Sequence, residues 1–326
     1  MMTALFRRII LILVLLFLFL GSLFLFYPIT FSPFEILQTI ITGENELVKT
    51  VIQLRLPRTL IATMMGANLA VAGYILQCIT RNPLASPTLL SVNAGAGLAM
   101  VIATAILPTF FSNYSITIVA SIGGGLSWLL VVIISGQRAV QDRNRLILAG
   151  LAVSLFCTAL TKLVILLAEE HTANIVNWLA GGISHTNWLD LQIIFPFFIL
   201  SLLFCLFYAR KFNLLALNDE SVRSLGVNLI TLRRVGTLTT LLIVGSSVSV
   251  AGPISFIGLL VPHFARYMVG YDLRKSLPIA MLLGACLMLI ADILSRAADF
   301  PNEIPAGAVL ALIGSPIFIL LAIGKR

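Results

Sequence analysis

The chain has 326 residues, of which 59% are hydrophobic and only 10% charged, and its mean hydropathy is +1.06. No soluble domain could bury so much apolar surface around one core, so the composition excludes a water-soluble protein and indicates one solvated by lipid. The net charge of +8 could suggest nucleic-acid binding. However, the basic residues fall singly or in pairs between apolar runs, as in cytoplasmic loops of membrane proteins, so no nucleic-acid partner is expected.

Apolar runs long enough to cross roughly 30 Å of hydrocarbon recur along the whole sequence and leave no stretch for a separate globular domain. We therefore predict one all-α polytopic membrane domain over residues 1–326. The first run is too long for a signal peptide and lacks a clear cleavage site, so we predict a retained first helix. About ten crossings are expected, with nine or eleven as alternatives, and they occupy Ile9–Phe26, Thr59–Thr80, Leu89–Leu107, Ser115–Ser135, Leu146–Ala168, Leu191–Ala209, a hairpin between Arg234 and Arg274, Leu277–Ala297 and Pro305–Ile323.

The interval between Arg234 and Arg274 decides the number of crossings. Both ends carry basic residues and so belong on the cytoplasmic side, which requires an even number of crossings. About 35 apolar residues at 1.5 Å each give roughly 52 Å of helix, enough for two short crossings and too much for one. Gly252 and Pro253 interrupt the stretch, and the sequence therefore predicts a helical hairpin that turns there.

Charge fixes the predicted orientation. With Arg7 and Arg8 inside, nearly all basic residues fall on the cytoplasmic side, together with both termini. Pro28–Arg58, which contains several acidic residues, is predicted to be an outer loop. Lys211–Arg234 is amphipathic rather than spanning and is predicted to be the longest inner loop. Four basic residues remain on the outer side: Lys49, Arg55, Arg58 and Arg296. One more, Lys162, lies within a span.

Several chemistries lack the residues that they need. There is no G-x-x-x-x-G-K-[ST] phosphate loop, so any ATP would be hydrolysed by a partner. Among the carboxylates only Asp292 lies inside a span, which disfavours an ion-coupled transporter. No cluster of nucleophiles or acids within the spans suggests a membrane enzyme. Cys78, Cys157, Cys205 and Cys286 show no metal-ligand spacing and are interpreted as packing residues.

Two histidines offer the remaining possibility of a metal site. His171 and His185 lie on the predicted outer side with Glu169 and Glu170, and imidazole and carboxylate are good metal ligands. The two histidines are far apart in sequence, however, which favours ordinary surface residues. We therefore expect neither a metal site nor a cofactor.

A set of short motifs runs in order along nearly the whole chain: Leu54–Arg58, Arg81–Pro87, Leu215–Leu217, Leu225–Val227, Gly252–Gly258, Val261–Arg266, Ala291–Arg296 and Pro305–Pro316. In these motifs the chain resembles the permeases of bacterial iron–siderophore and cobalamin importers. Within that family it is most similar to the permeases of ferric dicitrate importers, through Asp142–Gly150, Trp178–His185 and the proline-rich final helix. The resemblance implies the type II fold of ABC importer permeases and a place in the bacterial inner membrane.

The resemblance also implies a function and partners. The chain would be a transport subunit, not an enzyme, and would carry a ferric chelate while two cytoplasmic ATP-binding subunits hydrolyse ATP. A periplasmic or lipid-anchored substrate-binding protein would deliver the chelate. Ferric dicitrate systems pair two different permeases, so a paralogue is favoured over a second copy of this chain. The alternatives are a cobalamin or haem importer permease and an ion-coupled metal transporter that works alone.

In the family that the chain resembles, the inner loop forms two short helices that dock in a groove of the ATPase. This implies a coupling loop within residues 211–234, although an amphipathic loop lying against the membrane is the alternative. The candidate coupling residues are Leu215, Leu217, Asp219, Glu220, Arg223, Leu225 and Gly226.

The resemblance gives the outer arginines a role as well. Arg55, Arg58 and Arg296 match positions that meet acidic residues on the binding protein, and the planar guanidinium suits bidentate pairing with carboxylates. The alternative is that these side chains extend from helix ends to lipid headgroups.

The resemblance places a cytoplasmic gate at Asn82 and Leu84 together with Arg143 and Asn144, although the last two replace small residues of the family. Lys162 is predicted about 25 Å along a helix that begins at the inner face, and hence in the outer half of the membrane. It either reaches the headgroups or Glu169, or faces the transport pathway, which the family's fifth helix lines, and attracts an anionic chelate.

Overall fold

The computed structural model describes residues 2–27, 46–106, 113–136, 143–167, 178–217, 219–224 and 226–323. These ranges contain eleven α-helices, one 3-10 helix and no strand, so the all-α prediction is confirmed. The α-helices are α1 Met2–Phe24, α2 Glu46–Thr80, α3 Val92–Ile106, α4 Asn113–Ser135, α5 Arg143–Leu167, α6 Trp188–Phe212, α7 Asp219–Ser224, α8 Leu229–Ala251, α9 Ile257–Val269, α10 Leu273–Ala297 and α11 Ala306–Ile323, and the 3-10 helix η1 is Asn213–Ala216.

Ten of these helices coincide with the ten predicted crossings, and α7 lies in the predicted inner loop. Seven are long and apolar enough to span a membrane, while α3, α9 and α11 are shorter apolar helices. We use outer for the end of the bundle that carries residues 178–187 and 298–305, and inner for the opposite end, following the charge pattern. The orientation itself stays a prediction.

One boundary prediction is wrong. Residues 46–58 do not belong to an outer loop but form the first turns of α2, whose 35 residues include Pro57. A helix of that length extends about 52 Å, which exceeds the hydrocarbon thickness of about 30 Å. The helix is therefore long enough for its first turns to project beyond the hydrocarbon. Charged residues excluded a span there but did not exclude a helix.

Helix α2 lies at the centre of the bundle. Most of its spanning segment is buried, whereas only a small part of α1, α5 and α6 is buried. It packs against α10, α8, α6 and α9, and α4 packs against α3, α5 and α8. The exposed helices carry large apolar side chains such as Phe17, Leu155 and Leu206, as a lipid-facing surface requires.

The central helices touch through glycines. A Cβ atom added to Gly66 on α2 would collide with the carbonyl of Gly284 on α10, and the reverse also holds. A Cβ atom added to Gly73 on α2 would collide with the carbonyl of Gly258 on α9. Lipid gives apolar helices little reason to associate, so close backbone approach at small residues supplies much of the packing.

The predicted hairpin between α8 and α9 is confirmed, and its turn is not a simple loop. Residues 252–256 run without helical structure from the outer end into the bundle, with positive φ at Gly252 and Phe256. Asn93 donates from Nδ2 to the carbonyl of Ile254 at 3.0 Å. Non-helical backbone at membrane depth is tolerated where protein groups satisfy it, and here it lets the 13-residue α9 complete the crossing.

The glycine contacts give a test of this packing. Gly66→Ala and Gly284→Ala should each destabilise the protein by about 1 to 3 kcal/mol, because the added methyl group meets backbone that cannot rotate away. Gly97→Ala is the matched control, since a Cβ there would lie 3.8 Å from Leu179 in ordinary contact. The measurement is the thermal unfolding midpoint in detergent. Equal midpoints for Gly66→Ala and Gly97→Ala would contradict the proposed contact.

Candidate functional site

The three outer arginines singled out in the sequence lie together. Arg55 and Arg58 are on the outer part of α2, and Arg296 is on the last turn of α10. With Asp292 and Glu303 they form what we call the outer arginine cluster. All three arginines are buried, so as the protein stands they are not free to extend to headgroups.

Asp292 lies at the centre of the cluster and is 0% exposed. Its Oδ1 accepts from Nε of Arg58 and pairs with Nη2 of the same side chain, both at 2.8 Å. Its Oδ2 pairs with Nη2 of Arg296 at 2.7 Å and accepts from Oγ of Ser22 at 3.0 Å. Both carboxylate oxygens thus have charged or hydrogen-bonding partners. A charge buried in a membrane protein needs such partners, because it has no water to solvate it.

The cluster also attaches α1. Arg296 donates from Nη1 to the carbonyls of Ser22 and Leu25, at 3.0 and 2.9 Å. Carbonyls at the end of a helix lack intrahelical partners and carry partial negative charge, so a buried arginine suits them. The guanidinium carbons of Arg55 and Arg296 lie 3.9 and 4.3 Å from the ring centre of Tyr27, which follows α1. These contacts join the lipid-exposed α1 to α2 and α10.

A cavity of about 580 Å³ opens beside the cluster at the outer end. Arg58, Glu303 and His185 are among its polar lining residues, with Thr186 and Asp190. Glu303 accepts from Nη1 of Arg58 at 2.9 Å, and its side chain is 31% exposed.

His185 is an exposed residue of this cavity, whereas His171, Glu169 and Glu170 lie outside the described residues. Within the part of the chain that the structure describes, no group of three His, Cys, Asp or Glu residues could hold a metal ion.

A second set of polar contacts lies at the inner end. Arg81, directly after α2, donates from Nε to the carbonyl of Leu215 at 2.8 Å and from Nη2 to that of Leu217. Asn213 donates from Nδ2 to Asp272 at 2.8 Å, and this hydrogen bond holds the pKa of the Asp272 carboxyl below its usual value. The beginning of the predicted coupling loop is therefore fixed to both α2 and α10.

The predicted coupling residues occupy different positions. Leu215 is buried and anchors the loop to the core, whereas Leu217 is exposed and Gly226 has a positive φ with open space around it. Asp219, Glu220 and Arg223 belong to α7, but their side chains, like the whole of Leu225, lie outside the described part of the structure.

The four gate candidates are only partly described. Asn82 is buried and accepts from the backbone N–H of Leu84 at 3.0 Å, which orders the turn after α2. Leu84 is partly exposed. The side chains of Arg143 and Asn144 lie outside the described residues. A gating role for these residues stays a prediction.

Lys162 is exposed on α5 and so faces away from the rest of its own chain, toward lipid or a partner subunit. Both interpretations of this lysine therefore remain open.

Sequence reasoning missed three contributors: Glu303, Tyr27 and Arg81. It also missed the ion pair between Asp292 and Arg296. The signal for that pair was their four-residue interval, which places both side chains on one face of a helix. For Arg81 the signal was its position at the end of a span, directly before a loop. Nothing local to Glu303 indicates that it meets a residue in α2.

Known proteins resemble this chain over nearly its whole length. Residues 11–324 match the FecCD transport family. The chain is 50% identical over 303 residues to the Fe(3+) dicitrate transport system permease protein FecC of Escherichia coli, covering 92% of this chain and 91% of that protein. It is 35% identical to FecD of the same organism, covering 90% and 91%. A solved structure of an inward-facing metal-chelate type ABC transporter matches with a TM-score of 0.79 and 31% identity, covering 97% of each chain.

The chain therefore belongs to the FecCD transport family. It is a multi-pass permease of the bacterial inner membrane with the fold of type II ABC importers. The family prediction made from the motifs is confirmed.

The buried carboxylate gives a second testable prediction. Asp292→Ala should lower the free energy of unfolding by roughly 3 to 5 kcal/mol, because it leaves two buried guanidinium groups without their shared partner. Asp299→Ala, at an exposed position in the following loop, is the control and should change stability little. The measurement is thermal unfolding of the purified protein in detergent. A melting midpoint for Asp292→Ala as high as that of the control would contradict the bridging role.

Proposed function

We propose that the chain is the permease subunit of a bacterial ABC importer for a ferric chelate, with ferric citrate as the favoured substrate. The observation that carries this proposal is the 50% identity to the ferric dicitrate permease FecC over nearly the full length of both proteins. ATP hydrolysis would occur in two cytoplasmic partner subunits. An outer substrate-binding protein would supply the chelate.

The second permease subunit is proposed to be a paralogue rather than another copy of this chain. Escherichia coli contains both FecC and FecD, and both are similar to this chain over nine-tenths of its length. A heterodimer of related permeases is therefore favoured.

An ion-coupled mechanism is disfavoured by the surroundings of Asp292. A transporter driven by an ion gradient needs a carboxylate that can exchange protons or cations during the cycle. Asp292 is fully buried and is held by two arginines and a serine. Its carboxylate is therefore occupied by structural contacts, which disfavours a role in ion exchange.

The transport proposal is tested in proteoliposomes. The chain, reconstituted with its paralogue, the ATPases and the binding protein, should accumulate radioactive iron supplied as ferric citrate only when ATP is present inside. The control is the same assembly with an ATPase that cannot hydrolyse ATP. Uptake driven by a proton gradient without ATP would overturn the assignment.

We further propose that Lys162 faces the pathway and attracts the anionic chelate, because it is exposed on α5. In the uptake assay, Lys162→Met should lower accumulation while Lys162→Arg should not. If both variants transport normally, Lys162 has a structural role only.

The loop from Asn213 to Gly226 is proposed to couple the permease to the ATPase. Arg81 and Asn213 fix its first part to the bundle, while the Leu217 side chain remains exposed and available to a partner.

The outer arginine cluster is proposed to dock the binding protein. Since Arg296 and Arg55 are engaged with α1 and Tyr27, Arg58 beside the open cavity is the arginine best placed for this contact.

The coupling proposal predicts that Leu217→Asp weakens copurification of the ATPase at least several-fold, because it places a charge in an apolar contact. Tyr271→Asp is the matched control, since Tyr271 is also exposed at the inner end but lies outside the loop. The measurement is the molar ratio of ATPase to permease after affinity purification. Equal ratios for the two variants would exclude Leu217 from the coupling surface.

A further inference from the structure

The guanidinium of Arg58 has two differently placed sides. Its Nε and Nη2 face the fully buried Asp292. Its Nη1 faces Glu303, whose side chain is 31% exposed at the cavity. One carboxylate is thus enclosed in the bundle, and the other lies at the cavity, where a partner can approach.

We propose that Glu303 is a displaceable internal carboxylate: it occupies the outer side of Arg58 until an acidic residue of the substrate-binding protein takes its place. The inference rests on the proposed docking role of the outer arginine cluster. It identifies Glu303 as the residue that sets the affinity of that docking.

Displacement of Glu303 requires only a side-chain rotation. The residue lies in the loop between α10 and α11, and the backbone beside it is fixed, since Ile304 donates from N to the carbonyl of Ser295 at 3.0 Å. Water reaches the Glu303 carboxylate but not the largely buried Arg58 guanidinium, so Glu303 is the partner of this pair that solvent can take up when the pair opens. Asp292, in contrast, cannot leave without exposing two buried guanidinium groups.

Displacement is also necessary if Arg58 is to bind a partner. With Glu303 in place, the Arg58 side chain is only 7% exposed, so an incoming carboxylate cannot reach Nη1. The adjoining cavity of about 580 Å³ has room for an acidic side chain from outside. The cluster holds three arginines and two carboxylates, so removing Glu303 increases its excess positive charge, and an acidic partner restores the original balance.

The opposite possibility is that Glu303 itself binds a basic residue of the partner. The two mechanisms predict effects of opposite sign on affinity. Loss of the carboxylate strengthens docking if Glu303 shields Arg58, and weakens docking if Glu303 is the contact.

The experiment uses the complete permease complex with its ATPases in lipid nanodiscs and the fluorescently labelled, purified substrate-binding protein of the same system. Glu303→Gln should lower the dissociation constant about threefold or more, because glutamine keeps the shape but does not hold Arg58 as an ion pair. Asp299→Asn is the matched control: it removes one negative charge from the same exposed loop and should change the constant far less.

Two further variants separate the inference from the docking proposal. Arg58→Gln should weaken binding, and Glu303→Gln should give no gain in the Arg58→Gln background. Asp292 keeps Arg296 and Ser22 as partners in these variants, and the unfolding midpoint verifies that the bundle is intact.

The outcomes are distinct. If Arg58→Gln binds as tightly as the unchanged protein, the docking role of Arg58 fails and the inference fails with it. If Arg58→Gln weakens binding but Glu303→Gln does not strengthen it, or strengthens it no more than Asp299→Asn, docking stands and the role of Glu303 is overturned. Weaker binding by Glu303→Gln overturns it in favour of direct contact.

Discussion

A carboxylate buried between two arginines organises the outer end of this protein. In a bilayer, apolar surfaces gain little by leaving lipid for one another, so polar contacts and close packing must define which helices associate. Asp292 pairs with Arg58 from α2 and with Arg296 from its own helix, and Arg296 also donates to the Ser22 carbonyl in the last turn of α1. Helix α1, of which little is fully buried, is thereby attached to the centre of the bundle. The same contacts place the other side of Arg58 at the cavity, where Glu303 pairs with it.

At the inner end, too, polar contacts attach a neighbouring segment to α2 and α10. Arg81 binds loop carbonyls just after α2, and Asp272, which caps α10, binds the Asn213 side chain at the start of the same loop. Helices α2 and α10 thus contact the candidate coupling loop at one end and form the arginine cluster at the other. The two candidate functional surfaces are joined by the two most buried of the seven long apolar helices in the described part of the chain.

Much of the fold was predictable because each crossing is an apolar run and each break has a chemical signal, such as Gly252 and Pro253. The start of α2 was not, because charged residues such as Glu46 and Lys49 distinguish membrane from water but not helix from loop. The outer arginines were identifiable from their position against the charge trend. Their burial was not, since pairing between Arg58 and Asp292 depends on tertiary structure. Likewise, Leu215 and Leu217 look equivalent in sequence, but only Leu217 is exposed.

The glycine contact between Gly66 and Gly284 has a mechanical consequence. Two helices whose backbones touch at mid-length, and which are joined by an ion pair at one end, cannot slide past each other without first separating. The two helices are therefore expected to move together as one rigid body. Arg58 and Arg81 are separated by about 35 Å along α2, so a tilt of about 5° pivoting at the inner end carries Arg58 sideways by about 3 Å. Because the backbone beside Glu303 is held to Ser295 on α10, Glu303 moves with Arg58 and their ion pair is preserved during such a tilt.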